Sequence, residues 1–424
     1  MTDLHSAPVV LDVTGADIPG EAIGLRARGP LVRVVLPGGI PAWAVTDPEV
    51  IKDLFTDWRV SKDAHRHWPE FSAGTIPSDW PLISWVSVRN MFTAYGMDHQ
   101  RLRKLVLPAF TAHRIAALRP RIARITRELL DGLAARPAGE VVDLREEYAA
   151  QVPLRMITEL MGVPTDLRPR LRVCVGELFS TVSRRHPQDT HGEMVDILTA
   201  LVTRRRTDPG DDMTSMLISH RDNGDRLSEE ELVHTLFLVI SAGYETTVNL
   251  LDQAVYQLLT HAGNLAQLRA GAFTWSNLIE ETLRYAPPVP NLPLRYAVTD
   301  IDIADQRIEA GDTILACFAA ANRAPHPHEP DPDTFDPTRP SKGHLSFGYG
   351  PHYCLGAPLA RLEAAIALPA LFGRFPDIAL AAAPDELKTL DSFVSHGHRY
   401  LPVRLTRVAD DGGDPAGDDT DVRA

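Results

Sequence analysis

Apolar positions recur at helical spacing in two long stretches of the chain. One stretch covers residues 114–133 and the other covers residues 229–259. Because an α-helix repeats every 3.6 residues, this spacing predicts two amphipathic helices. The second stretch is too long for an ordinary surface helix, so we expect it to cross the core of the protein.

Strand-like patterns are short and few. Between Pro30 and Thr46, valine-rich runs flank the sequence Pro-Gly-Gly at 37–39, which predicts a hairpin. Proline clusters at 287–293 and 325–340 predict extended or irregular backbone, because proline breaks helices. No repeat or linker divides the chain before about residue 408. We therefore predict one mainly α-helical domain over residues 1–408, with a long central helix and small β-sheets.

Composition and charge exclude several classes of function. With 424 residues, 44% of them hydrophobic, the chain can bury a large core. Its net charge of −13 argues against general nucleic-acid binding. Part of that charge lies in residues 409–424, an Asp- and Gly-rich tail predicted to be disordered.

No targeting signal is apparent. Residues 1–20 lack the basic and apolar regions of a signal peptide, and no run of about 18 apolar residues predicts a membrane anchor. The three cysteines, Cys174, Cys317 and Cys354, form an odd and scattered set that predicts no disulfide framework. A reducing cytoplasm is the expected location.

The third cysteine stands in a loop punctuated by glycines, Phe-Gly-Tyr-Gly-Pro-His-Tyr-Cys-Leu-Gly, at 347–356. Glycines let backbone approach a flat cofactor, and a helix predicted after Leu355 would direct its N-terminal dipole at the sulfur. Such surroundings suit a thiolate that binds iron. A lone cysteine is more often a buried apolar filler, and a glycine cluster is often a simple turn. Phe, two glycines, His, Cys and Gly at these spacings form a far more restrictive pattern than a lone cysteine or a glycine cluster by itself.

This loop resembles the haem-binding loop of the cytochrome P450 superfamily. The resemblance implies the cytochrome P450 fold, haem b as cofactor, dioxygen as co-substrate and monooxygenase activity. Cys354 would be the metal ligand. The other loop residues expected to bind the cofactor are Phe347, Gly350, His352 and Gly356.

Haem also carries two carboxylate groups that need positive partners when buried. The resemblance places His99 and Arg103, one helical turn apart, on a helix beside the haem. Arg295 and His352 match the other usual contacts of these carboxylates. A solvated basic side chain is the ordinary alternative for each residue taken alone.

The long predicted helix contains the sequence Ser-Ala-Gly-Tyr-Glu-Thr-Thr at 241–247. By resemblance, Ala242 and Gly243 pass over the haem, Thr246 directs its hydroxyl toward dioxygen, and Glu245 relays protons from solvent. Splitting the O–O bond needs delivered protons, which explains an acid beside a hydroxyl. Helix packing and a solvated Glu are the alternative interpretation. The role of Tyr244 stays open.

A charged pair, Glu281 and Arg284, lies three residues apart on a predicted helix that ends at the prolines. An exposed pair of this kind contributes little stability. The resemblance instead implies a buried triad with Arg339 that supports the loop carrying Cys354.

Electrons must come from a partner protein, because nothing in the sequence resembles a flavin, nicotinamide or iron–sulfur site. A ferredoxin and its ferredoxin reductase are expected. A basic patch could guide the ferredoxin, although ordinary solvated charges are nearly as good an interpretation. The residues of this patch are Arg101, Lys104, His113 and Arg114.

Stretches matching the substrate-lining positions of the family are mostly apolar, which favours a lipophilic substrate such as a steroid, a macrolide or another polyketide of secondary metabolism. They are residues 68–88, 179–182, 238–242, 289–294 and 393–394. Two alternatives stay open. The same fold could catalyse peroxygenation, dehydration or ring rearrangement without a redox partner, or serve as a non-catalytic haem sensor or carrier.

Overall fold

The computed structural model describes residues 7–137, 139–183, 185–220, 224–261, 263–325 and 331–405. The predicted acidic tail at 409–424 lies outside these residues, and the single-domain boundary at 408 stays a prediction. The α-helices of the described residues are α1 Ile18–Arg26, α2 Pro48–Thr56, α3 Ala64–His67, α4 Pro69–Ser72, α5 Ile83–Ser87, α6 Gly96–Val106, α7 Ala112–Ala117, α8 Arg119–Ala134, α9 Gln151–Leu160, α10 Arg168–Phe179, α11 Pro187–Thr207, α12 Met213–Ser219, α13 Glu229–Thr260, α14 Asn264–Arg269, α15 Trp275–Tyr285, α16 Phe318–Ala321 and α17 Ala357–Arg374.

The described strands form one larger sheet, in the order β1-β2-β3-β9-β6-β4, and two small sheets. They are β1 Val9–Val10, β2 Leu31–Leu36, β3 Ile40–Val45, β4 Val60–Ser61, β5 Val141–Asp143, β6 Asn291–Ala297, β7 Ile301–Ile303, β8 Gln306–Ile308, β9 Thr313–Cys317, β10 Ala379–Leu380 and β11 Pro402–Arg404.

The predicted hairpin is confirmed. Strands β2 and β3 pair antiparallel, with Leu31 opposite Val45 and Leu36 opposite Ile40. The turn at Pro37–Gly39 needs a left-handed backbone at Gly38, whose φ is 78°. The pair places β3 next to β9, and so joins the amino-terminal part of the chain to the carboxyl-terminal part.

The prediction that the second apolar stretch crosses the core is confirmed by α13. This helix has 32 residues and is therefore about 48 Å long. A capping box formed by Ser228 and Glu231 satisfies backbone N–H groups at its start. It packs against α9, α11 and α17, and most of its residues between Leu232 and Leu258 are buried.

The first apolar stretch is not one helix, as predicted, but two. Helix α7 ends at Ala117, Leu118 intervenes, and α8 begins at Arg119. Pro120 lies in the first turn of α8, where its missing N–H removes no helical hydrogen bond. The apolar spacing continues across the break, which is why periodicity alone does not reveal it.

Both proline clusters have the expected irregular or extended backbone where they are described. Helix α15 ends at Tyr285, and the chain then enters strand β6. Residues 331–340 form turns, while 326–330 lie outside the described residues. Among the described helices, none combines the length and apolarity needed to cross a membrane.

The buried charged triad is confirmed. Glu281 is fully buried, and Arg284 donates two hydrogen bonds to its carboxylate, both of 2.8 Å. Arg339 approaches the same carboxylate to 3.8 Å. Arg284 also donates to the carbonyls of Pro332 and Thr334, so the pair anchors the irregular segment that leads toward Cys354.

Replacing Glu281 or Arg284 with alanine should leave its partner's charge buried and uncompensated, at a cost of about 3 to 5 kcal/mol. We expect a large loss of folded protein and a lower unfolding temperature, measured by thermal denaturation. Arg307→Ala, which removes the exposed partner of Asp302, is the control and should cost no more than about 1 kcal/mol. A Glu281→Ala protein as stable as its parent would contradict the structural role of the triad.

Candidate active site

One cavity contains most of the side chains singled out in the sequence. It encloses about 1490 Å³ of space outside the protein atoms, part of it open to solvent. Helix α13 supplies one side through Ala242, Gly243 and Thr246. The loop before α17 supplies another side, from Phe347 to Gly356. The predicted cysteine and hydroxyl therefore line a single space.

Cys354 lies at the N-terminus of α17, as expected. Its backbone N–H donates to the carbonyl of Phe347 at 2.9 Å, and its sulfur accepts hydrogen bonds from the N–H groups of Gly356 and Ala357. The sulfur opens into the cavity, where the surrounding protein desolvates it and so raises the pKa of the thiol, while these N–H groups and the charge of Arg103 oppose the rise. The surroundings are therefore prepared for a negative sulfur that a bound metal ion would complete.

Three of the four predicted carboxylate partners reach the cavity, and the fourth supports one of them. Arg103, Arg295 and His352 line the cavity. His99 lies against His352, with ring centroids 3.9 Å apart, and its Nε2 has no hydrogen-bond partner among the described residues. Burial lowers the pKa of His99 to about 4 and that of Arg295 to about 9.

Lys62 is a cavity residue that sequence reasoning missed. Its side chain is only 4% exposed, and Nζ lies 3.7 Å from the ring centroid of Phe92 and 3.5 Å from the carbonyl of Pro293. Burial and the nearby Arg295 hold its pKa well below the usual value. A lysine between β4 and α3 looks like a surface residue in the sequence, and only the fold reveals its burial.

Lys62, Arg103, Arg295 and His352 form a basic cluster that pairs with no carboxylate among the residues that the structure describes. The one carboxyl group lining the cavity in the described chain is Glu363 on α17, whose pKa burial raises to about 8, so it stays largely neutral at pH 7. Its Oε2 has no hydrogen-bond partner in that part of the chain. Buried positive groups without anions are costly. A flat ligand with two carboxylates and a sulfur-binding metal, as in haem, fits the space and its charges.

The remaining loop residues differ in their surroundings. Phe347 lines the cavity, and the guanidinium of Arg361 lies 4.5 Å from its ring centroid. Gly350 does not line the cavity in the structure. A Cβ there would lie 2.9 Å from the side chain of Thr56 on α2, and its φ is 68°. Packing and a left-handed backbone therefore explain this glycine without cofactor contact.

Glu245 and Thr246 are neighbours on α13 that face different spaces. Thr246 lines the cavity, and its hydroxyl donates to the carbonyl of Ala242 at 2.6 Å. Glu245 is buried and accepts a hydrogen bond of 2.8 Å from Arg145. Burial raises the pKa of Glu245, and Arg145 opposes that rise. The acid therefore does not share the cavity with the hydroxyl.

The predicted substrate-lining stretches are only partly correct. Trp85, Phe179, Leu238, Ala242, Val289 and Leu292 line the cavity from these stretches. Phe393 and Val394 do not; both are fully buried in the core beside the larger sheet. Met91, Phe92, Phe110 and Ile157 also line it, although no pattern in the sequence pointed to them.

Comparisons with known proteins agree with this site. A family model described as Cytochrome P450 matches residues 275–396. The 2-hydroxy-5-methyl-1-naphthoate 7-hydroxylase of Streptomyces carzinostaticus is 45% identical over 399 residues, covering 94% of this chain and 97% of that protein. The 6-deoxyerythronolide B hydroxylase of Saccharopolyspora erythraea is 39% identical, covering 90% and 94%.

A solved structure is also closely similar. CYP154A1 from Streptomyces coelicolor A3(2) is 51% identical in sequence and superposes with a TM-score of 0.89, covering 94% of this chain and all of that one. Similarity at this level extends over nearly the full length of the compared chains, and the family model spans the Cys354 loop. The chain therefore belongs to the cytochrome P450 family, binds haem b and is a monooxygenase.

Proposed function

We propose that this monooxygenase hydroxylates a lipophilic ring compound, such as a steroid, a macrolide or another polyketide, with electrons from a ferredoxin and its reductase. The division of the cavity into one charged and one apolar part carries the proposal. Lys62, Arg103 and Arg295 all lie close enough to His352 to lower the pKa of its imidazole, which burial lowers further. The rest of the lining is mainly apolar.

The charged part is proposed to hold the cofactor. Cys354 would bind the iron, and Lys62, Arg103 and Arg295 would pair with the two carboxylates. His99, behind His352, and the loop residues Phe347 and Gly356 complete the set. Gly350 would fix the position of the loop through its packing against Thr56 of α2. When bound, haem supplies the iron at which dioxygen is activated.

The α13 residues are proposed to control protons. The Thr246 hydroxyl faces the cavity and can hold water there, once it rotates away from the carbonyl of Ala242. Glu245, the residue before Thr246, would resupply the proton that the Thr246 hydroxyl passes on. An intact acid and hydroxyl favour monooxygenation over peroxygenation, rearrangement or a carrier role, none of which needs a proton relay.

The apolar part is proposed to bind the substrate. The ring of Trp85 lies edge-to-face against those of Phe179 and Phe92, with centroid distances of 5.1 and 6.2 Å. Leu238 and Val239 line the same space. Interlocked rings make a stiff wall that suits a rigid ring system better than a flexible chain. The hydroxylases compared above act, by their names, on a naphthoate and on 6-deoxyerythronolide B, which supports a ring compound without selecting one.

The ferredoxin is proposed to bind beside the Cys354 loop. Tyr353, the residue before the cysteine, is 41% exposed, and its carbonyl accepts a hydrogen bond from Arg103 on α6. Lys104 on the same helix is exposed, as are His113 and Arg114. Arg101 adds no positive charge to this surface, because Asp225 and Glu231 both pair with it.

A binding screen followed by turnover tests the proposed function. Steroids, aromatic polyketides and macrolides would be titrated against the haem protein, and binding followed by the shift of the haem absorption band. Ligands that bind would then be turned over with ¹⁸O₂ and a surrogate ferredoxin system. One labelled oxygen in the product supports hydroxylation. Ferredoxin-independent turnover, or a product without label, would favour the alternative haem chemistries.

Cys354→Ser should lose thiolate ligation while the chain stays folded, because a serine hydroxyl stays protonated and is a harder ligand. The absorption spectrum of the reduced carbonyl complex measures this. Cys174→Ser, on α10 and outside the cavity lining, should keep the parent spectrum. A thiolate-type spectrum in Cys354→Ser would show that another residue binds the iron.

Lys62→Met should weaken haem retention about 10- to 100-fold, because one charged hydrogen bond to a haem carboxylate contributes about 1.5 to 3 kcal/mol. Transfer of haem to an excess of apomyoglobin measures the change. Lys52→Met, which removes a partly exposed lysine paired with Glu49 outside the cavity lining, is the matched control. Equal retention in both variants would remove Lys62 from the cofactor site.

Thr246→Ala should bind substrate as the parent does but release more of the consumed oxygen as hydrogen peroxide, because the hydroxyl that holds water is missing. Product and peroxide per electron pair are measured together. Thr260→Ala is the control, since Thr260 also donates to a carbonyl one turn earlier on α13. Unchanged coupling in Thr246→Ala would mean that another group delivers the proton.

A further inference from the structure

The segment between α5 and α6, residues 88–95, forms part of the wall of the haem cavity. Met91 and Phe92 line the cavity from this segment, and the ring of Phe92 lies edge-to-face against that of Trp85. The segment contains no helix or strand, so its position depends on contacts with the rest of the protein. Those contacts decide whether this side of the cavity is closed.

A histidine on α13 holds the segment. Arg89 donates its backbone N–H to Nδ1 of His234 at 3.1 Å, and Asn90 donates its side-chain amide to the carbonyl of His234 at 3.0 Å. Asn90 is buried, and its side-chain oxygen accepts a hydrogen bond of 2.9 Å from the N–H of Phe92. These hydrogen bonds therefore connect a cavity-lining residue to α13 through His234.

Packing between the segment and α13 is incomplete. A cavity of about 490 Å³, part of it open to solvent, lies between them. Val88 and Phe92 line this space from the segment, and Phe237 and Ser241 line it from α13. Side chains that face open space lose the dispersion contacts that a filled interface would give. The hydrogen bonds to His234 therefore matter more for the position of the segment than they would in a fully packed interface.

The hydrogen bond from Arg89 exists only while His234 is neutral. A backbone N–H can only donate, so Nδ1 must accept through a free lone pair, and the proton of the neutral ring lies on Nε2. An imidazolium carries a proton on both nitrogens and has no acceptor. Protonation of His234 therefore breaks this bond and sets two N–H groups against each other.

Three elements place titratable groups around His234. Glu230 lies one turn earlier on α13, and Arg89 belongs to the segment itself. His191 on α11 lies with its ring centroid 5.9 Å from that of His234. Burial lowers the pKa of His234, and the Glu230 carboxylate opposes this change. Burial and the charge of His234 also lower the pKa of His191. Both rings are therefore mainly neutral at pH 7, as the bond from Arg89 requires.

We propose that His234 is a pH-sensitive switch for closure of the haem cavity: its neutral imidazole holds residues 88–93 against α13, and its protonation releases them. The inference rests on the assignment of the apolar part of the cavity to the substrate, made above. Closure is fully favoured above about pH 6.5, the ordinary pKa of histidine, and is lost as the pH falls from there toward the lowered pKa of His234. Release moves Met91 and Phe92 away from the substrate but leaves Cys354 in place.

Hydrogen exchange in the haem-loaded protein tests the switch directly. Protection of the amides of residues 88–93, corrected for the intrinsic exchange rate at each pH, is measured by mass spectrometry from about pH 5 to about pH 8. We expect constant protection above about pH 6.5 and up to about tenfold less protection per pH unit below it, because release binds one proton. Protection that does not change over this range would contradict the proposal.

His234→Asn and His234→Leu separate the hydrogen bond from the titration. In asparagine Oδ1 is bonded to Cγ, as Nδ1 is in histidine, so it can accept from Arg89 at every pH. Leucine offers no acceptor. We expect the Asn variant to keep its protection down to about pH 5, whereas the Leu variant should lose about 2- to 10-fold even at about pH 7.5. Parental protection in the Leu variant, or an acid-induced loss that persists in the Asn variant, would overturn the proposal.

His191→Asn is the matched control. It removes the neighbouring titratable ring but leaves both hydrogen bonds between His234 and the segment. Acid should therefore still release residues 88–93 in this variant. If His191→Asn abolished the pH dependence while His234→Asn kept it, the titrating group would be His191 and the assignment to His234 would be wrong.

Binding of testosterone, followed by the shift of the haem absorption band, shows whether closure serves the substrate. Testosterone has no group that titrates in this range, so any pH dependence belongs to the protein. Binding should weaken several-fold from about pH 7.5 to about pH 5.5 in the parent and stay constant in His234→Asn. Binding that ignores pH while exchange detects release would refute the link to the substrate. If testosterone and the other ring compounds do not bind at any pH, the proposed substrate class fails, and the exchange result still decides the switch.

Discussion

Basic side chains placed in the interior impose the main constraint on this protein. Lys62 and Arg295 are each 4% exposed, and Arg103 and His352 lie beside them around a space that offers no ionised carboxylate in the described residues. Burial disfavours their charged forms, as the lowered pKa values of Lys62 and Arg295 reflect. Binding of a dianionic cofactor relieves this cost, so cofactor loading and stability are linked through the same residues.

The thiol end of the cavity depends on a second buried charge system. Glu281 and Arg284 form an ion pair. Arg284 also donates to the carbonyl of Pro332, and Glu281 accepts a hydrogen bond from the N–H of Asp336. Both residues precede the Cys354 loop, so an ion pair that contributes little net stability can still fix backbone geometry. The buried Glu281–Arg284 pair is therefore better explained by its effect on the backbone conformation before the Cys354 loop than by a gain in stability.

Sequence reasoning succeeded where a local pattern carries the physics. The length and course of α13 and the hairpin at β2 and β3 follow from spacing, whereas the burial of the Glu281–Arg284 pair follows from the family resemblance. It failed where distant segments decide the outcome. Lys62 is buried by β6 and Phe92, and Phe393 by the larger sheet, and neither neighbour is near in sequence. The break at Leu118 was missed because periodicity persists through it.

Helix α13 reconciles two requirements that conflict within one cavity. A lipophilic substrate needs a dry, apolar wall, whereas proton delivery needs water and charge. Thr246 lies on one side of the helix and Glu245 on the other, so the buried acid stays outside the mainly apolar haem cavity. Glu245 is therefore buried, and a buried carboxylate is destabilising unless a positive group pairs with it. Arg145, which donates to Asn249 and lies 3.4 Å from Asp252, pairs with the buried acid without lining the haem cavity.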